Sequence, residues 1–133
     1  MRLRIIVGIV GLMALAGAGT LAARANSNVG GDKQWTVTNF RDPVLVKGTL
    51  VMGPVLIVHD SAKMARGEAC TTFYRFKPGA GPQEAIVSFH CTPKQGSAVN
   101  ETTFTLASND TGCKRLVEYQ INGESEVHGV PIK

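Results

Sequence analysis

Past residue 34 the chain alternates short apolar runs with turn residues, and nearly every run has the two-residue period of a β-strand. Trp35-Thr36-Val37-Thr38 alternates apolar and β-branched polar residues, the pattern of a half-buried strand. Arg41-Asp42-Pro43 is a turn signal. Val44 to Met52 is β-rich, with Lys47-Gly48 as a turn or bulge, and Gly53-Pro54 punctuates it. Val55-Leu56-Ile57-Val58 is a continuous apolar run suited to a strand buried on both faces. Asp60 to Gly67 is the one helical candidate: Asp60 caps it, Ala62 to Ala65 favour it and Gly67 ends it. At about two turns it depends on packing.

Ala69–Phe76 and Glu84–Thr92 flank KPGAGPQ and predict a hairpin. Thr102–Leu106 alternates, and Ser108–Gly112 is a turn. In the next strand Arg115, Val117, Tyr119 and Ile121 share a face. Asn122-Gly123 is a type I′ hairpin signal, and Val127–Ile132 returns as the last strand. Short strands at ~10-residue spacing predict an all-β domain over residues 35–133. The expected architecture is a small antiparallel β-sandwich or barrel with one short helix.

The first 25 residues have a different character. Arg2 and Arg4 precede an apolar run from Ile5 to Ala23, which ends in Ala23-Arg24-Ala25. That order predicts a cleavable signal peptide over 1–25. The run is 19 residues long, close to the ~20 needed to span a bilayer. Four glycines and a threonine dilute the run, however, so no stable membrane anchor is expected after cleavage. Residues 26–34 read as a flexible polar linker. The expected location is secreted or periplasmic.

The leader also changes the charge. The whole chain is +4, but removing Arg2, Arg4 and Arg24 from 14 Lys+Arg leaves 11 against 10 Asp+Glu. A nearly neutral domain with scattered cations gives no case for nucleic acid.

Three cysteines remain. If Lys77 faces Glu84 in the hairpin, Tyr74 faces Val87, Thr72 faces Phe89 and Cys70 faces Cys91. An oxidising compartment then predicts a Cys70–Cys91 disulfide. Cys91–Cys113 and Cys70–Cys113 are the other connectivities, since spacing alone does not fix them.

The histidines are His59, His90 and His128, each near a strand end. Together they could ligate zinc or copper, with Cys113 as a further donor, if the fold gathers them. Their spacing contains no short ligand pair, and scattered histidines are commonly ordinary hydrogen-bonded residues. His90 and Cys91 should point to opposite faces of their strand. For catalysis, Ser88 and His90 share a face and His59-Asp60 are neighbours, but there is no G-x-S-x-G elbow. Gly79-Ala80-Gly81 lacks the following Lys-Ser/Thr of a phosphate loop and reads as a hairpin loop.

His59-Asp60, Met64-Ala65-x-Gly67-Glu68-x-Cys70, Ser88-Phe89-His90-Cys91, Glu118-Tyr119-Gln120 and His128-Gly129-Val130-Pro131 resemble segments of small exported bacterial proteins of unknown function. The resemblance covers most of the domain and implies no activity. It directs attention to His59, Asp60, Glu68, His90 and His128 as binding residues. The resulting expectation is an exported, non-catalytic binding protein for an unknown ligand or protein partner, with no cofactor. A metal protein using His59, His90 and His128 is the first alternative, and a small hydrolase the second.

Overall fold

The computed structural model describes residues 33–133 and the two-residue strand β1 (Val29–Gly30). The signal peptide expected over 1–25 lies outside the described residues. The other strands are β2 (Lys33–Val46), β3 (Thr49–Asp60), β4 (Thr71–Lys77), β5 (Gly81–Phe89), β6 (Thr92–Gln95), β7 (Thr103–Ser108), β8 (Lys114–Gln120) and β9 (Glu126–Gly129). One helix, α1 (Ser61–Ala65), follows β3. The protein is all-β. Among the described residues no helix is long and apolar enough to cross a membrane.

All nine strands among the described residues join one sheet, in the order β5-β4-β3-β2-β8-β9-β6, with β1 on β2 and β7 on β8. Every pairing is antiparallel except a short parallel contact of β2 with β8 at Val44–Leu45. The hydrogen-bonded path is open. Only His90 and Cys91 separate β5 from β6, although these strands stand at its two ends. Three Cα steps span at most about 11 Å. The sheet therefore curls until its ends approach, and one apolar core fills the inside. Val46, Val51, Val55, Ile57, Phe73, Phe89, Leu116, Tyr119 and Ile121 form its centre.

Several expected breaks are absorbed into long strands. Arg41-Asp42-Pro43 is not a turn: β2 runs through it with a register shift between Phe40 and Val44. Lys33 and Gln34 belong to β2, paired with Asp60 and His59, so the ordered sheet begins inside the stretch expected to be linker. Lys47 and Gly48 both have positive φ, at 50° and 79°, and close the β2–β3 hairpin. That is the type I′ signature. Asn122-Gly123 behaves differently, because φ is positive at Gly123 alone. The Glu124 N–H donates to the Ile121 carbonyl at 3.0 Å, which makes a β-turn with glycine at its third position.

Bulges also decide which residues face inward. On β8 the register shifts between Thr105 and Leu106 of its partner. One β8 residue is skipped, and Leu116 and Tyr119 both become buried although they are three apart. Trp35 and Val37, expected on the core side, are each 43% exposed. The half-buried alternates face inward instead, where Thr36 and Thr38 lie and the Thr36 and Thr102 hydroxyls meet at 2.9 Å.

A buried cluster of imidazole and sulfur

Three inward positions at one end of the sheet carry chemistry instead of hydrocarbon. In β3 the buried residues alternate as Val55, Ile57 and His59, so His59 continues the core face. Phe89 and Cys91 continue the core face past β5 in the same way. His128 is the β9 partner of Tyr119. All three of these site residues have 0% exposure. Backbone bonds level the strand ends: Asp60 N–H donates to the Cys70 carbonyl at 2.8 Å, and Cys70 N–H to the Phe89 carbonyl at 3.0 Å.

Cys91 Sγ is the hub. It lies 3.4 Å from His59 Nε2, 3.6 Å from His128 Nδ1, 3.7 Å from Met64 Sδ and 3.2 Å from Cys70 Sγ. One ligand atom each from His59, Cys91 and His128 all lie within 4.8 Å of one another. The two imidazole centroids are 4.1 Å apart. Met64 arrives on α1, whose first turn is capped by the Asp60 carboxylate accepting from Ala62 N–H and Lys63 N–H.

The protonation states suit a ligand set. His59 Nδ1 meets Gln34 Oε1 at 2.9 Å. A carbonyl oxygen only accepts, so the His59 proton sits on Nδ1 and the Nε2 lone pair faces Cys91. Burial lowers the His59 imidazole to about 4, opposed in part by Asp60. Burial, with His59 beside it, lowers His128 to about 3. Both rings are neutral near pH 7, as metal ligation requires. Burial, and next the Cys70 hydrogen bond, push the Cys91 thiol up to about 12. His128 Nε2 is buried with no hydrogen-bond partner among the described residues. Tyr119 stacks on His128 at 4.8 Å, and its hydroxyl meets Thr71 Oγ1 at 2.7 Å.

The expected site residues divide. His59 and His128 converge, but His90 is exposed and does not join them. Cys91 takes its place, because the strand alternation that buries Cys91 turns His90 outward. Asp60 serves as a helix cap, and Glu68 pairs with Arg66 at 2.7 Å on the surface. The expected Cys70–Cys91 disulfide is not formed. Both are free thiols with sulfurs 3.2 Å apart, against the ~2.05 Å of a bond. Their approach was expected, but from another register: Lys77 faces Gly81 rather than Glu84, and two register shifts move the hairpin. Cys113, also free, lines a separate surface pocket with Asp42, Val44, Leu106 and Lys114. Ser88 Oγ meets Thr72 Oγ1 at 2.8 Å on the exposed face.

Sequence reasoning missed Met64 and Gln34 as site residues, and it placed Cys91 in a disulfide and gave the thiolate role to Cys113. The in-phase alternation of Val55, Ile57 and His59, and of Phe89 and Cys91, was the readable signal for His59 and Cys91. No protein-family model matches the sequence, and no curated protein and no solved structure matches it either.

Proposed function

We propose that this is an exported metal-binding protein whose ion is held by His59, Cys91 and His128 at one end of a small, curled, open β-sheet. Its role is to hold the ion, in the periplasm or outside the cell, rather than to turn over a substrate. The observation that carries the reading is the convergence of three soft donors within 4.8 Å in a fully buried place. Imidazole and thiolate are the common ligands of zinc and copper. Two neutral rings and a thiol beside them offer lone pairs, not charges, until an ion enters and the Cys91 proton leaves. Gln34 supplies the outer hydrogen bond that fixes a ligating imidazole.

Burial alone does not account for the cluster. An orphaned polar nitrogen such as His128 Nε2 costs about 1–3 kcal/mol. A metal bond at the same ring's other nitrogen offsets that cost. The test is metal content and anaerobic titration of the reduced protein. One zinc or copper ion per chain is expected. His59→Ala, Cys91→Ala and His128→Ala should each weaken binding by more than about 100-fold, the upper range for outer-sphere partners. His90→Ala should leave it unchanged. A wild type that takes up neither metal, or a His90→Ala that alone abolishes uptake, would remove the reading.

A further inference from the structure

We propose that the ion is copper(I) and that the Met64 thioether is its fourth ligand. This rests on the metal centre at His59, Cys91 and His128. The distances around Cys91 carry it. With metal–sulfur bonds of about 2.3 Å and metal–nitrogen bonds of about 2.0 Å, tetrahedral donors stand about 3.5 Å apart for nitrogen and sulfur and about 3.8 Å for two sulfurs. His59 Nε2 at 3.4 Å, His128 Nδ1 at 3.6 Å and Met64 Sδ at 3.7 Å match those edges.

Cys70 does not fit as well. Its sulfur is 3.2 Å from Cys91 Sγ, inside the edge length, and is not one of the donors lying within 4.8 Å of one another. It also accepts the Cys91 N–H at 3.3 Å. Glu126 Oε1 lies 3.7 Å from His128 Nδ1, but it is a hard carboxylate oxygen on a 35% exposed side chain, which a soft copper(I) ion does not select. Met64, partly buried and packed on the core, is the remaining soft donor.

The thioether decides the metal. Zinc sites are built from thiolate, imidazole and carboxylate without methionine, so a thioether added to the thiolate favours copper(I). Two imidazoles, one thiolate and a methionine form a copper donor set in general coordination chemistry.

The experiment loads reduced protein anaerobically with copper(I) against a chromophoric copper(I) chelator. X-ray absorption then reads the neighbours of copper. In selenomethionine-labelled protein a copper–selenium distance is expected, which needs no substitution at the site. Met64→Leu should abolish that distance and weaken copper(I) at least 10-fold, while zinc affinity changes less than twofold. Cys70→Ser should keep both the copper–selenium distance and the affinity. Copper bound without a selenium neighbour, or a Cys70→Ser protein that loses a sulfur neighbour and affinity, overturns the Met64 assignment and leaves the metal centre standing. Absence of all metal uptake by wild type defeats the metal centre itself.

Discussion

Gln34 and His59 are direct partners across the β2–β3 pairing, and their side chains repeat the contact through a 2.9 Å hydrogen bond. The bond fixes both the tautomer and the ring plane of His59. Gln34→Met keeps the bulk and removes the acceptor. It should cost about 1–2 kcal/mol in the metal-free protein, because the buried Nδ1–H loses its partner. It should also weaken metal binding by about 10–100-fold. Urea unfolding and metal titration read the two effects separately, and an unchanged metal affinity would deny Gln34 its orienting role.

The thiols should react in a fixed order. Native, metal-free protein should show one accessible thiol to an aromatic disulfide reagent, the half-buried Cys113, with Cys70 and Cys91 reacting only on unfolding. Prolonged treatment with an oxidised dithiol should join Cys70 to Cys91. The pair gives up two electrons and two protons, and the reagent becomes the dithiol. Metal uptake should then be lost, because Cys91 Sγ is no longer free. Peptide mapping identifies the linkage. A Cys70–Cys113 or Cys91–Cys113 product would contradict the geometry.

Acid should destabilise the metal-free protein. Burial lowers His59 to about 4 and His128 to about 3, whereas an unfolded imidazole titrates near about 6.5. Below that pH the unfolded chain binds more protons, so stability falls as pH falls. At about pH 5 each ring costs about 2 kcal/mol. Glu124 acts in the opposite sense: burial, then the charge of Glu126, raises it to about 7, so the stability it contributes at low pH is lost as pH rises from about 4.5 to 7. Two rings outweigh one carboxyl, and the net trend is loss on acidification. Glu124→Gln should raise stability at neutral pH by about 1–2 kcal/mol and steepen the acid limb. Urea midpoints from pH 8 to 5 test both, and a flat profile would contradict them.

The Thr71–Tyr119 contact joins β4 to β8 across the interior. Tyr119→Phe leaves the buried Thr71 hydroxyl without its partner and should cost about 1–2 kcal/mol. Removing both groups, as Thr71→Val with Tyr119→Phe, should cost less than the two single changes added. Additive costs in a urea double-mutant cycle would show that the two hydroxyls do not cooperate.

The local pattern of the sequence determined the all-β character, the capped helix after Asp60, the Lys47-Gly48 turn and the alternation that makes His90 and Cys91 face opposite ways. These are statements about φ/ψ preference and a period of two, and both live within a few residues. The tertiary structure decided the rest. Residues Arg41 to Pro43 read as a turn in isolation, yet the long pairing of β2 with β3 carries the strand through them as a bulge. The type I′ signal at Asn122-Gly123 gave way to a different turn, because the ends it joins are set by the pairing of β8 with β9. Cys70 and Cys91 were expected to meet, and they do, but bulges changed their register and left them as thiols. The site was the least legible part. His59, Cys91 and His128 come from strands far apart in sequence, and their separation depends on how far one curled sheet turns before its ends meet. Met64 looked like a helix former with an apolar side chain, and only the placement of α1 over that end of the core sets its sulfur beside Cys91.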